Sequence, residues 1–433
     1  MNFEFFTARK IAAAGQRSFS RLIIRLAIIA VALSMTVMIV ATALIAGFKN
    51  EISDKIFGFW GHIHITDANL TRSFLDQFPV QQDQPFYPFI DTIEEISFKA
   101  PFRIGNLEFP NRMVDYPSEG GINHVQVYAL IPGIIETKEE IEGIILKGIG
   151  KDFNWEFLNQ YLQEGEPLEW QDSTASSGIL ISRQTADRLN VSVGDKFIVY
   201  FVQEQQLRRA FTIKGIYKTG LEEYDQKFAL VDIRKIQQLL KWKEDQVAGF
   251  EVFIDDIDDL ELFTEYIYLE ELPNDLYAEN IREKFPNIFE WLELQDINEQ
   301  VILALMLVVG IINMMTALLI LILERTNMIG ILKALGSTNW SVRKIFLYYA
   351  GYILVIGLFW GNLIGLTVCI LQKQFSIIRL SEADYYLSVA PIELNLWTIL
   401  GLNVLTMVVT LISLVLPSFL VSRIDPVRAI RFK

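Results

Sequence analysis

Four long stretches of the chain carry no charged side chain: Leu26 to Gly47, Val301 to Leu323, Ile345 to Leu371 and Leu394 to Val421. The shortest holds 22 residues. As a helix it would cover about 33 Å at 1.5 Å per residue, enough for a bilayer core of roughly 30 Å. Each charge left out of such a run avoids an insertion cost of about 2.5–3.5 kcal/mol at the helix centre. The pattern predicts a polytopic α-helical membrane protein with four transmembrane helices and excludes a wholly soluble enzyme.

Between the first and second runs the pattern changes. Gly61-His62-Ile63-His64-Ile65 alternates as a strand does. The charge-free stretch Gly120–Ile135 is too short to span, and Pro132-Gly133 is expected to break it, leaving Val125–Ile131 as a buried strand. Ser182–Leu189 and Asp232–Lys241 read as helices, Lys196–Val202, Arg209–Tyr217, Ala229–Val231 and Gly249–Ile254 as strands, and Val191–Asp195 as a turn. Residues 48–300 therefore predict a large α+β domain, long enough for two subdomains.

Charge orients these pieces. The chain has 433 residues, 52% of them hydrophobic, and a formal net charge of −14. Residues 1–25 carry Arg9, Lys10, Arg17, Arg21 and Arg25 against Glu4. Residues 324–344 carry Arg325, Lys333, Arg343 and Lys344 against Glu324, and residues 422–433 carry Arg423, Arg428, Arg431 and Lys433 against Asp425. Residues 48–300 hold a net −23. Short basic segments stay cytoplasmic, whereas long domains cross largely regardless of charge. Four spans put all three basic segments on one side without conflict.

The predicted order follows: 1–25 cytoplasmic, with a short interfacial helix; 26–47 first span; 48–300 extracytoplasmic; 301–323 second span; 324–344 cytoplasmic loop; 345–371 third span; 372–393 outer loop; 394–421 fourth span; 422–433 cytoplasmic tail. Phe3, Phe5, Phe6 and Ile11 among Arg9, Lys10 and Arg17 suit the interfacial helix. Ala41-Thr42-Ala43 resembles a signal-cleavage site, but 25 residues precede the apolar run, so it reads as a retained anchor.

Signals for chemistry are few. No Gly-x-x-x-x-Gly-Lys-Ser/Thr occurs, and Gly143–Lys151 lacks its phosphate-cradling end. His62 and His64 share a strand face, but with no cysteine near and only His124 besides, they read as ordinary strand histidines. The acidic run Asp255, Asp256, Asp258, Asp259 and Glu261 lacks the spacing of a calcium loop and reads as a solvated face. Nothing resembles a nucleophile elbow, the lone Cys369 lies in an apolar run, and the acidic balance disfavours nucleic acid. No catalytic residue and no metal ligand is expected.

The informative stretch is Glu324 to Ser337, ERTNMIGILKALGS. Met328, Ile329, Ile331, Leu332 and Leu335 form an apolar stripe on a short helix, and Gly336 is a left-handed stop. Spacing alone fits two readings: insertion into a groove of a soluble partner, or lying on the membrane surface. A second stripe, Leu44, Phe48, Ile52 and Ile56, runs past the outer end of the first span at four-residue intervals.

The segment MIGILKALG after Glu324-Arg325 resembles the coupling helix of FtsX-type ABC-transporter permeases, and the closing SRIDPVRAIR resembles their C-terminal pattern. The layout of one span, a large outer domain and three spans is similar too. Closer still is the lipoprotein-releasing LolC/LolE group. Phe6–Lys10, Gly47–Ile52, Gly61–Ile65, Ile216–Gly220 with Tyr224-Asp225, and Tyr385–Leu387 with Pro391-Ile392 carry that likeness. One departure is clear: where that group has a long proline-bearing hook hairpin, this chain has only Gln203–Arg208.

The resemblance implies a MacB-type periplasmic domain on a bacterial inner-membrane permease, with cytoplasmic termini. It implies extraction of lipid-modified proteins and a second permease copy or paralogue. It also implies two copies of a separate ATPase that carries the ATP and Mg, with no cofactor on this chain. Docking of a periplasmic carrier stays open, since the hook is missing. Glu324, Met328, Ile329, Gly330, Leu332, Lys333, Leu335 and Gly336 would couple to the ATPase. Leu44, Phe48, Ile52 and Ile56, with Val301, Leu305 and Val308 of the second span, would line a lateral cavity for acyl chains; Phe48 and Ile52 fit ordinary core packing equally well. Two alternatives stand beside this: a MacB-like permease exporting a peptide, toxin or small molecule, and an FtsX-like regulator of a cell-wall hydrolase.

Overall fold

The computed structural model describes residues 4, 6–8, 18–69, 77–104, 107–136, 141–170, 174–202 and 206–424. The chain divides into two compact units: Met1–Glu51 with Glu290–Arg379 and Val389–Lys433, and Ile52–Phe289 with Leu380–Ser388. Among the described residues, four helices are long and apolar enough to cross a membrane.

The long helices are α1 (Ser18–Trp60), α2 (Pro286–Glu324), α4 (Asn339–Phe375) and α5 (Leu396–Ser413), with the short α3 (Thr326–Ala334) after α2; all lie in the first unit except Ile52–Trp60 of α1 and residues 286–289 of α2, which belong to the second. Helix α1 has 43 residues. At 1.5 Å per residue it is about 64 Å long, twice the thickness of a bilayer core. Proline at the first position of α2 costs no hydrogen bond there and presets φ.

Hydrophobicity gives no drive for helices to pack inside lipid, so close fit has to supply it. Gly357, Gly361 and Gly365 repeat every fourth residue on α4 and meet α1. A Cβ at Gly357 would lie 2.7 Å from Val31 Cγ1, and one at Gly361 2.7 Å from Met35 Cβ. The backbones are close enough for Thr36 Oγ1 to donate to the Gly361 carbonyl at 3.1 Å. Asn362 and Asn403 exchange amide hydrogen bonds of 2.7 and 2.9 Å between α4 and α5. At the carboxyl end of α4, buried Gln372 donates to the Ile378 and Ala390 carbonyls and accepts from Ile378 N, tying down the loop that follows. Of the expected interfacial helix, Phe6–Ala8 are helical and Ala8 is buried; Phe3, Phe5 and Arg9–Arg17 lie outside the described residues.

The second unit is α+β, as the alternation predicts. Ile52–Phe289 and Leu380–Ser388 together form this compact unit. Its strands are β1 (Ile63–Asp67), β2 (Val80–Gln81), β3 (Ser97–Ile104), β4 (Leu107–Pro117), β5 (Ile122–Glu136), β6 (Ile141–Ile149) and β7 (Leu162–Gly165). They continue with β8 (Gly178–Ser182), β9 (Lys196–Val202), β10 (Gln206–Tyr217), β11 (Phe228–Asp232), β12 (Gln246–Val247), β13 (Gly249–Ile254) and β14 (Leu276–Asn280). The main sheet runs β14-β1-β13-β5-β6-β11-β8-β10-β7, and β9 pairs with both β10 and β5. Strands β5, β6, β11, β8, β10 and β9 therefore close a ring. Strands β3 and β4 form a separate hairpin.

Strand β5 does not stop at Pro132-Gly133, contrary to the sequence expectation. It pairs with β13 from Ile122 to Tyr128 and with β9 from Ile134 to Glu136. The proline falls at the change of partner, where its missing N–H leaves no ladder bond unmade. The expected helices carry their own caps. Ser182 accepts from Thr185 N to start Arg183–Leu189, and Asp232 accepts from Arg234 N to start Ile233–Leu240.

Candidate functional site

Helix α3 splits the predicted coupling stripe in two. Ile329 and Gly330 are buried, and Met328 and Leu332 pack on the apolar core of the membrane unit. Ile331 and Leu335 face outward, 51% and 78% exposed, followed by Trp340 at 52%. Spacing could not separate these faces, because the inner one packs on distant parts of the same chain. Glu324 is exposed where α2 ends. Gly336 has φ +93 and ends α3. Ser337 N donates to Leu332 O and Gly336 N to Lys333 O, both at 3.0 Å, which satisfies the last carbonyls of the helix.

Lys333 is committed to its own chain. Its ammonium donates to the carbonyls of Val421, Ser422 and Ile424 at 2.7, 3.2 and 3.0 Å. These oxygens lie at the end of the 3-10 turn Phe419–Arg423, which closes the last span and whose terminal carbonyls favour a cation. Arg343 of α4 donates to Ser422 Oγ and lies over the Phe419 ring at 4.0 Å. The short helix is thus clamped to the end of the last span. Asp425–Arg431, the rest of the C-terminal pattern, lie outside the described residues.

The stripe on α1 is mostly interior. Ile52 and Ile56 have no exposed surface, Phe48 is 7% exposed and Leu44 is half-buried. Phe48 meets Trp291 of α2 edge to face at 5.8 Å, and Lys49 pairs with Asp296 at 2.7 Å. Val301, Leu305 and Val308 are about half exposed, at 51%, 57% and 50%. They continue an apolar strip on α2 from Ile297 to Ile312. The described residues therefore offer an open apolar face on α2, while Ile52 and Ile56 serve as core.

The histidines are all used by backbone. His62 Nδ1 accepts from Ile254 N at 3.2 Å, His64 Nε2 donates to Trp60 O at 2.6 Å, and His124 Nε2 donates to Asp152 O at 2.7 Å. Burial lowers His62 to about 4, with Asp255 opposing. The acidic run is not simply solvated: Asp259 accepts from Glu119 N and Gly120 N, and Asp255 from Gly121 N and Asn123. Sequence reading missed Gly357, Gly361 and Gly365, although a glycine at every fourth position of an apolar run is a signal for close helix packing.

Residues 26–267 match the MacB-like periplasmic core domain, and residues 300–426 the FtsX-like permease C-terminal domain. The chain belongs to the FtsX-like permeases with a MacB-like periplasmic core. Among relatives of this permease, the lipoprotein-releasing system transmembrane protein LolC of Xylella fastidiosa (strain 9a5c) is 22% identical, over 98% of this chain and 97% of its own. LolE of Haemophilus influenzae is 22% identical over 99% of both chains. LolC of Neisseria meningitidis serogroup B is 21% identical over 98% of both.

Proposed function

We propose that this permease is the membrane subunit of an ABC transporter that extracts lipid-modified proteins from the bacterial inner membrane. The observation that carries the reading is the near full-length likeness to LolC and LolE, whose names describe lipoprotein release. In this reading the termini and α3 are cytoplasmic and the sheet domain is periplasmic, in keeping with the basic segments at 1–25, 324–344 and 422–433. ATP and Mg are held by a separate ATPase in two copies, and a second permease copy or paralogue completes the unit.

Ile331 and Leu335 supply the apolar contact with the ATPase. Met328, Ile329 and Leu332 seat the helix, Lys333 ties it to the end of the fourth span, and Glu324, Gly330 and Gly336 set its entry, fit and exit. Acyl chains lie on the exposed residues Val301, Leu305 and Val308 of α2, with Leu44 and Phe48 of α1 assigned to the same surface and Ile52 and Ile56 left to the core of the sheet unit. An acyl chain gains about 0.8 kcal/mol per buried CH₂, so this face selects for lipid rather than for sequence.

We do not assign capture of a carrier by a hook. Val202 pairs directly with Gln206, and Gln203, Glu204 and Gln205 between them lie outside the described residues. The same observation favours a second reading, a MacB-like permease acting on a periplasmic peptide, toxin or small molecule. Purification from native membranes with acyl-chain analysis separates them. Copurifying lipid-modified protein supports the first reading, whereas an outer-membrane channel and no acylated protein support the second.

A further inference from the structure

The carboxyl end of α1 finishes inside the sheet domain on a buried set of charges. A helix end leaves its last carbonyls unmade and carries partial negative charge. Here Gly61 N donates to Phe57 O at 2.6 Å, the Lys147 ammonium donates to Phe59 O, and His64 Nε2 donates to Trp60 O at 2.6 Å. Lys147 also lies 4.9 and 4.7 Å from the centres of the Phe59 and Trp60 rings. The ion pair it makes with Glu251, at 2.7 Å, has no exposed surface on either side chain.

The receiving surface is a row across four strands. Glu279, His64, Glu251 and Gln126 are register partners on β14, β1, β13 and β5, so their side chains share one face. Gln126 donates to Glu251 at 2.8 Å, and Lys284 contacts His64 Nδ1. Burial lowers Lys147 and raises Glu251 from their ordinary values, and each opposes the shift in the other.

Stability alone does not call for this arrangement, because replacing a buried ion pair with well-packed apolar groups is often neutral or stabilising. What the ions add is direction. Apolar burial is non-directional and tolerates sliding or rotation about a helix axis. A cation bonded at once to a helix carbonyl and to a strand carboxylate fixes both depth and angle.

We infer that the Lys147–Glu251 pair is the joint through which movement of the first spanning helix is delivered to the periplasmic sheet. The inference rests on the transport reading. In it, ATPase motion reaches α1 through the membrane unit, and the joint turns axial movement into displacement of the strand row. Without the joint, ATP turnover continues while the outer domain no longer follows.

The test uses the full-length permease purified with the ATPase it retains. Lys147→Met with Glu251→Leu removes both charges together and leaves no unpaired ion. Amide exchange in Lys55–Trp60 should accelerate at least tenfold, with Phe197–Phe201 unchanged. ATPase turnover should stay within twofold of wild type, and acylated protein released per ATP should fall at least tenfold. Should that variant not accumulate, Lys147→Gln with Glu251→Gln takes its place with the same expectations. Unchanged exchange at Lys55–Trp60, or loosened exchange with wild-type release per ATP, overturns the joint. If the wild-type complex hydrolyses ATP but releases nothing, the transport reading falls, and the exchange result alone decides whether the pair clamps the helix.

Discussion

Ile329 and Leu335 stand six positions apart on one short segment and have opposite jobs. Ile329 is fully buried and Leu335 is 78% exposed. Leu335→Asp should leave the chain inserted and stable while cutting copurification of the ATPase at least tenfold. Ile329→Asp places an unpaired carboxylate in the core and should reduce accumulation of the permease itself. Quantitative pull-down beside membrane yield checks both, and an equal loss of yield in the two variants would refute the division of faces. A second residue-scale prediction concerns pH. His62 is lowered from 6.5 to about 4 and accepts a backbone hydrogen bond at Nδ1, so the folded state favours the neutral ring. Its contribution is complete above about pH 6.5 and is lost as pH falls toward 4. It amounts to at most about 3 kcal/mol, taking 1.36 kcal/mol per unit. Urea melts of the full chain should show falling stability between pH 6.5 and 4, and His62→Gln, which keeps an acceptor, should flatten that slope.

Helix α4 shows how an element is fixed by what it lacks. Its glycines let α1 approach to backbone contact, whereas Gly401 on α5 has nothing within 4 Å of a built Cβ. Gly361→Leu should therefore lower the thermal midpoint of the detergent-solubilised permease by several degrees, an overpacking cost of about 1–3 kcal/mol. Gly401→Ala should leave it unchanged. Equal shifts for the two would mean that the close approach carries no weight. The spans were legible in the sequence because a charge-free run of more than about twenty residues matches the thickness of a bilayer and exceeds what the core of a soluble domain needs. The course of β5 through Pro132 was not, because the change of partner from β13 to β9 depends on strands distant in sequence. The split of the coupling stripe was hidden for the same reason, since periodicity marks a face without saying what covers it. Lys147 did leave a trace: a single charge within the apolar run Ile144–Ile149 of a strand invites the question of its partner.

At the scale of the whole molecule, the proposed function links three features into one chain of transmission. In that proposal Ile331 and Leu335, the outward residues of α3, receive the push of the ATPase. A clamp of Lys333 and Arg343 on the end of the last span shares it with the membrane unit. In the same proposal α1 passes it to the buried Lys147–Glu251 pair at the carboxyl end of that helix. The exposed apolar face on α2 is the proposed seat of the acyl chains. Photo-crosslinkers at Val301 and Ile52 separate cavity from core: capture of acylated protein should occur at Val301 and not at Ile52, and the reverse would misplace the cavity. The most direct measurement of the central claim is release from proteoliposomes holding the permease, its ATPase and an acylated protein. Acylated protein should leave the bilayer only while ATP is hydrolysed, with no effect on the same protein lacking its acyl chains. Steady ATP hydrolysis with the acylated protein still in the membrane, despite an acceptor for it in solution, would contradict the account.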